Sequence, residues 1–377
     1  AASDVYKRQD LTYPGHVRSP RLVTAGSASL HLFWVTRQPG DLDWELWYQL
    51  LALDGQSSSQ PKMLTEKGTS VGHLEAHSDG DNGAIVIWDL GGNRGLKVLR
   101  IDPIGDLIDG PHSIATSGNS PTFRVDPEGQ VHTAWLDNRR FFYNKLEVDD
   151  LSASEMVEIV DLVKWGTLNT SGDILQGPAL GIADGWIYLF WSIVSLSDTE
   201  AGTGVAEYVA FPNGSPGDLQ PERIWALPAE DQSYQESKNS LALTQLSQPK
   251  HIADAADEHG ELVQFMSPIA GDWVDVYGAV SSYMLSPAPM IGQQGDLAVA
   301  LAVSQDRGGD TQLQIATTVF SEGYNLGYNF AGKTSYISDH PVLAADQSGD
   351  LFVAWREGSS GETIYFATTT PKAKASL

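Results

Sequence analysis

The eight residues GYNFAGKT, Gly327 to Thr334, match the pattern G-x-x-x-x-G-K-[ST] of a phosphate-binding loop. In such a loop glycine amides cradle phosphates, the lysine reaches them and the hydroxyl holds a magnesium ion, all between a strand and a helix. Here Lys333 and Thr334 run into SYISDHPVLAADQSG, where Pro341 stops any helix, so an outer strand and a connection are expected instead. GTSVG, Gly68 to Gly72, fits G-x-S-x-G, but a nucleophile elbow needs a following helix and this segment leads into a strand.

Metal chemistry is equally short of context. HLEAH resembles a zinc-binding helix motif with Glu75 one place too late. On a strand His73 and His77 would stand about 13 Å apart, at roughly 3.3 Å per residue, too far to share an ion. They are expected on the surface or in blade packing. DGDNG, Asp79 to Gly83, begins like a calcium loop without its later ligands. GDLDWE sets Asp41, Asp43 and Glu45 at alternate positions, as on one solvated strand face. No metal site and no cofactor is therefore expected.

The elements that must carry any site come from a repeat. SPTFRVDPEGQVHTAWLD from Ser120 and DHPVLAADQSGDLFVAWRE from Asp339 share a proline, an Asp-x-x-Gly turn and an alternating strand ending in Ala-Trp. The same frame ends at Trp34, Trp88 and Trp191, and two weaker copies lack the tryptophan. Units open near Pro20, Gly72, Pro121, Pro178, Pro249, Pro289 and Pro341. Each continues through further alternating segments such as WELWYQL, FYNKLEV and TIYFATT, period-two patterns that mark strands. Four antiparallel strands per unit, with scarcely any helical periodicity, predict an all-β fold, a β-propeller of seven four-stranded blades, with six or eight as alternatives. The last unit has three strands of its own, so the DLTYPGH region near the N-terminus is expected to close the ring.

Composition narrows the partners. The 377 residues include 48 acidic and 23 basic side chains, a net charge of −25, which argues against nucleic acid and against anionic membranes. Cysteine is absent, removing disulfides, thiolate ligands and cysteine nucleophiles. No run of about 18 apolar residues exists to span a bilayer. Residues 1–9 resemble a translated adaptor sequence found at the ends of metagenomic reading frames, so a native leader is expected to be missing. Residues 10–370 then form one propeller domain, followed by a polar tail, 371–377.

Within that frame the 12 arginines are unevenly placed. Arg37, Arg94, Arg139, Arg140, Arg307 and Arg356 fall just after second strands, in loops that a propeller gathers on one face around its channel. Convergence there would make an anion-facing funnel suited to carboxylate, sulfate or phosphate.

The pattern P-x-x-x-x-D-x-x-G-x-h-x-x-A-W resembles the repeats of sialidase-like propellers over residues 18 to 368, although the stricter Asp-box S-x-D-x-G-x-T-W does not occur. Sialidases hold the substrate carboxylate with three arginines and use an aspartate acid/base and a tyrosine activated by glutamate. The resemblance implies Arg18 of VRSPR, Asp41 or Asp43 as acid, Glu207 with Arg223, then Arg307 and Tyr336. The expectation preferred here is a recognition module, monomeric and secreted or in the cell envelope. It would bind a glycan, a small anionic ligand or a protein through Arg18, Arg37, Arg94, Arg139, Arg223, Arg307 and Arg356. A sialidase-type hydrolase using Asp43, Glu207 and Tyr336 is the alternative, and a purely structural propeller the second.

Overall fold

The computed structural model describes residues 9–13, 15–26, 28–152, 156–164, 173–183, 185–195, 203–213, 216, 222–226, 251–257, 260–266, 273–275, 283–291, 297–304, 311–319, 323–329, 342–345, 351–357 and 363–368. Among these residues every regular element is a strand, and the strands form seven antiparallel sheets. After β1 (Gln9–Thr12), the first sheet is β2 (His16–Ala25), β3 (Ser29–Arg37), β4 (Glu45–Ala52) and β5 (Lys62–Met63). The second is β6 (Leu74–Ser78), β7 (Ala84–Asp89), β8 (Leu96–Ile101) and β9 (Leu107–Ala115). The third is β10 (Asn119–Val125), β11 (Gln130–Asp137), β12 (Arg140–Glu147) and β13 (Val157–Asp161). The fourth is β14 (Asp173–Ala183), β15 (Trp186–Ser195), β16 (Thr203–Pro212) and β17 (Glu222–Ala226).

The fifth sheet has three described strands, β18 (His251–Asp257), β19 (Gly260–Met266) and β20 (Trp273–Asp275). The sixth is β21 (Tyr283–Ile291), β22 (Leu297–Ser304), β23 (Thr311–Val319) and β24 (Gly323–Asn329). The last is β25 (Val342–Ala345), β26 (Leu351–Glu357) and β27 (Thr363–Thr368), completed by β1, which pairs with β27 from Gln9↔Phe366 to Thr12↔Thr363. Serial four-stranded meanders of this kind are the construction of a β-propeller. The expected N-terminal strand therefore completes the sheet of the C-terminal residues, and it begins at Gln9, inside the segment set aside on sequence grounds. The chain divides into two compact units, 1–85 with 100–108 and 282–377, and 86–99 with 109–281.

Each unit is built on buried tryptophans of second strands. In the first, Trp34 lies with Tyr13, Val17, Leu22, Leu32, Phe352 and Phe366 in one core cluster, so the sheet of β2 packs against the sheet of β25. Tyr13 stacks on Trp34 at 4.1 Å between centroids and donates to Gln49 Oε1 at 2.6 Å, so its hydroxyl is satisfied where its ring is buried. In the second unit Trp191 packs with Phe141, Tyr143, Leu180 and Phe211, joining the sheets of β10 and β14. Trp88, Trp135 and Trp355 are likewise buried.

The repeat's proline answers to these tryptophans. First strands carry a bulge in which two residues face one: Ser19-Pro20 opposite Trp34, Ser120-Pro121 opposite Trp135, Gly177-Pro178 opposite Trp191 and Ser286-Pro287 opposite Leu301. A bulge interrupts the ladder, so a residue without an N–H is tolerated there. Ser19 and Ser120, the first residues of their bulges, both adopt φ 50, in the left-handed region. In the sixth unit the register moves the repeat's proline from the expected Pro289 to Pro287 and puts Leu301 at the tryptophan position. Gly118, at φ 121, lies so close to the Trp135 ring that an added Cβ would collide with it.

Histidines three residues before two of the tryptophans form a second repeated device. His31 Nδ1 accepts from Tyr48 Oη at 2.9 Å and His132 Nδ1 from Tyr143 Oη at 2.7 Å. Their Nε2 atoms face the Asn82 carbonyl at 3.4 Å and the Asp126 carboxylate at 3.0 Å, so the neutral Nε2–H tautomer satisfies every partner. Asn213 donates to the same carboxylate at 3.1 Å. Burial holds both imidazoles below their ordinary value, the acceptors raising them only in part.

Two outcomes follow for stability. Trp135→Ala should cost about 3–5 kcal/mol in urea unfolding, and Trp135→Leu clearly less, since leucine stands at that place in the sixth sheet. Because the folded values of His31 and His132 are depressed, the unfolded chain takes up protons first as pH falls. Their contribution is full above the unfolded value of about 6.5 and is lost below it. The melting temperature should fall from pH 7.5 to 5, and a His31→Gln, His132→Gln double variant should show a shallower fall over the same range. An equally steep fall in that variant would assign the effect to other groups.

Candidate functional site

The first unit gathers cationic and aromatic side chains around the beginnings of β2 and β6. The bulge at Ser19-Pro20 is the local cause. It adds one residue between Arg18, opposite Val35, and Arg21, opposite Phe33, and so brings both arginines onto one face of β2. Arg18 donates to the Val71 carbonyl at 2.9 Å, and its guanidinium lies 3.9 Å from the centroid of the Trp44 ring. Arg37, at the end of β3, stands over the same ring at 4.8 Å. The Trp44 carbonyl accepts from the Val71 amide at 2.7 Å, so the backbone of Val71 bonds both the Trp44 main chain and the Arg18 side chain. Arg356, at the end of β26, donates to the Val17 carbonyl at 2.6 Å, one residue before Arg18.

A row of alternate residues, His73 just ahead of β6 and Glu75 and His77 on it, meets β2. Glu75 Oε1 accepts from Arg21 at 3.4 Å and from His73 Nε2 at 3.2 Å, while His77 Nε2 stands 3.8 Å from Oε2. Arg21 is further fixed by its bond to the Pro20 carbonyl at 2.9 Å. Glu75 and Arg21 are shielded, with side chains 22% and 17% exposed, whereas His73 is 43% exposed. Burial pushes the Glu75 carboxyl up, but Arg21 and the two imidazoles outweigh it and hold the group well below the usual carboxylate range. The three HLEAH side chains thus act together through the glutamate. Spacing alone separates the histidines, and the readable signal was the acid midway between them on a strand, within reach of both.

The other arginines are placed differently. Arg94 turns back on its own loop, bonding the Gly91 and Leu90 carbonyls at 2.9 and 2.5 Å. Arg139 is exposed in a tight turn with Asn138, at φ 67 and 48, and its carbonyl accepts from Leu162. Arg140 pairs with Glu158 at 3.1 Å and stacks on Phe142. Arg223 pairs in register with Glu207 on β17 and β16, the fourth and third strands of their sheet. Arg307 and Tyr336 lie outside the described residues, as does Lys333, while Gly327 to Asn329 form the end of β24.

Asp41 and Asp43 lie in the loop ahead of β4, and Glu45 is buried at its start with Trp47 Nε1 donating to it at 3.4 Å, so GDLDWE is not one solvated strand face. Asp79 of DGDNG staples its turn, accepting from the Asp81 and Gly83 amides, and pairs with Arg100 at 2.8 Å. Lys67 and Gly68 form a turn, closed by the Thr69 amide on the Glu66 carbonyl, that leads to buried Val71, with no helix after GTSVG. Among the described residues no group of three or more metal-binding side chains is arranged to hold an ion.

No family model matches the chain, and no curated protein matches it. Solved structures do. An ulvan lyase, a polysaccharide lyase bound to -[GlcA(1-4)Rha3S]-, superposes with a TM-score of 0.57 at 10% identity, covering 95% of each chain. The Dos1 propeller gives 0.51 at 10% identity over 98% of this chain and 97% of that one. A prolyl endopeptidase gives 0.52 at 10% identity over 94% of this chain and 47% of its own. At such identities the likeness is one of fold, and the chain is a β-propeller.

Proposed function

We propose that this propeller binds an anionic glycan, one bearing carboxylate or sulfate groups, at the cluster of Arg18, Arg37, Arg356 and Trp44. The observation that carries the reading is that the guanidiniums of Arg18 and Arg37 meet on one indole, with that of Arg356 bonded to the carbonyl of the residue before Arg18, in a chain of net charge −25. Planar guanidiniums offer paired donors to carboxylate and sulfate, and an indole offers a flat apolar face to a sugar ring. The superposition on a polysaccharide lyase bound to a uronate-containing ligand is consistent with a glycan as partner. Arg94, Arg139, Arg223 and Arg307 are separate candidates for contact with an anionic ligand. A secreted or cell-envelope location suits such a ligand, and a protein partner with acidic side chains would use the same guanidiniums.

Calorimetric titration with polygalacturonate, a sulfated glucuronate–rhamnose polymer and neutral dextran tests this. The two anionic polymers should bind and dextran should not, and Arg37→Ala and Trp44→Ala should each weaken binding at least about tenfold, the loss of one charge-assisted contact or stacking platform. Binding of dextran alone, or anionic binding indifferent to both substitutions, would refute the assignment. A fluorogenic sialoside in the same series examines the hydrolase alternative. Turnover abolished by Asp43→Ala would establish it, since Asp43 is its acid candidate.

A further inference from the structure

We infer that the β11–β12 turn carries a second binding site for an anionic sugar, with Arg139 as the anion contact and Asn138 as the hydroxyl contact; this rests on the anionic-glycan reading above. The site shares no residue with the cluster of Arg18, Arg37 and Trp44, and its own residues all belong to the second compact unit.

The backbone marks the place. Asp137 pairs with Arg140 across a two-residue hairpin loop, in which Asn138 and Arg139 adopt φ 48 and 67. Such a loop asks for a left-handed conformation at both central residues, which asparagine and glycine take readily and arginine does not. Arg139 thus stands where glycine would fold more easily. Within the chain its side chain does nothing to offset that strain. It is exposed, and its guanidinium has no hydrogen-bond or ion-pair partner among the described residues. Arg140 differs in this respect, since Glu158 and the Phe142 ring hold it. Strain kept in a surface turn, with no internal contact to balance it, points to a contact outside the chain.

Behind the turn, Asp137 fixes the surface. Its Oδ1 accepts from Asn138 Nδ2 at 2.8 Å and from Asn93 Nδ2 at 2.9 Å, and its Oδ2 accepts from Ser117 Oγ at 2.6 Å. One carboxylate therefore joins the β7–β8 loop, the segment ahead of β10 and the β11–β12 turn. Burial pushes the Asp137 carboxyl up, but the bonds from Ser117 and Asn93 and the charge of Arg140 outweigh it and hold the group below the usual carboxylate range. An ionised carboxylate only accepts, so the Asn138 amide turns its nitrogen to Asp137 and keeps its oxygen for another donor. Asn138 is itself exposed, which sets an acceptor beside the Arg139 guanidinium.

A carboxylate or sulfate matches the guanidinium through paired N–H donors, and a hydroxyl of the same sugar can donate to the Asn138 oxygen. A neutral sugar would fill only the second contact. Arg94, which follows Asn93 in the chain, adds a further positive charge, exposed although it bonds the Leu90 and Gly91 carbonyls.

Calorimetric titration of the full chain with tetragalacturonate and with its neutral methyl ester tests the site, in an Arg37→Ala, Trp44→Ala background that disables the first cluster. Tetragalacturonate should still bind this background saturably, and the ester at least about tenfold more weakly. Adding Arg139→Gly should weaken the remaining binding at least about tenfold, the loss of one charge-assisted contact, and adding Asn138→Gly about threefold. Arg139→Gly alone should raise the melting temperature by about 1–3 °C, because glycine takes the left-handed turn without strain. No residual binding in the background, residual binding indifferent to Arg139→Gly, or a lower melting temperature in that variant would each overturn the second site. The first cluster would survive those results so long as Arg37→Ala and Trp44→Ala weaken binding by the parent. Failure of the parent to bind any anionic glycan would overturn both.

Discussion

The packing of one large indole against a bulged strand is the constraint on which the rest of this molecule depends. In three of the sheets the tryptophan in the middle of the second strand lies opposite a place where the adjacent first strand carries one extra residue. Trp34, Trp135 and Trp191 all face such a bulge, and where leucine stands instead, at Leu301, the bulge is kept. The bulge therefore occurs in four of the described sheets, in one of them without the indole. A bulge also re-aims the strand that contains it. In β2 that re-aiming brings Arg18 and Arg21 to one face, so a packing device for the core also sets the geometry of the surface cluster.

The His–Tyr pairs show a second economy of the repeat. His31 and His132 occupy equivalent places, and each joins its own sheet's tyrosine to a polar group from a turn: Asn82 for His31, Asp126 for His132. Buried polar networks specify a structure when every member is satisfied, and the neutral tautomer satisfies all of them here. Asp-x-x-Gly turns therefore do more than reverse the chain. Asp126 accepts from the Glu128 and Gln130 amides within its turn and from His132 and Asn213 outside it.

Much of this was legible in the sequence because the period-two alternation and the terminal tryptophans report directly on burial in a sheet. The closing strand could be placed because the last repeat was one strand short. Registers were less legible. The shift from Pro289 to Pro287 escaped because the SPAP segment offers two prolines and no tryptophan fixes the frame. Side-chain partners in the loops were less legible still, for a physical reason. Arg37 and Arg356 stand in the last residues of β3 and β26 rather than in the loops expected of them, and nothing in the sequence told that Arg94 would bond its own carbonyls, since local hydrogen bonding in a loop has no periodic signature. Arg21, His73, Glu75 and His77 were passed over because a metal was the only shared partner considered for the histidines, when the partner was the glutamate between them.

The cationic cluster must also be reconciled with a chain whose net charge is −25. A polyanion approaching from afar meets a repulsive field, yet at physiological ionic strength that field fades beyond about 8 Å. Inside that distance Arg18, Arg37 and Arg356 dominate, because they are close together and partly desolvated. Salt then acts in two opposed ways, first relieving the long-range repulsion and then weakening the local pairs. Trp44 favours the local term, since an indole in contact with both the Arg18 and Arg37 guanidiniums lowers the cost of holding like charges together. Glu75 does the same for Arg21, with the difference that a carboxylate can be matched by a ligand's carboxylate while an indole cannot. The cluster is accordingly divided by chemistry into an upper part that grips by charge and stacking, and a lower part where one internal anion already fixes the orientation of two imidazoles.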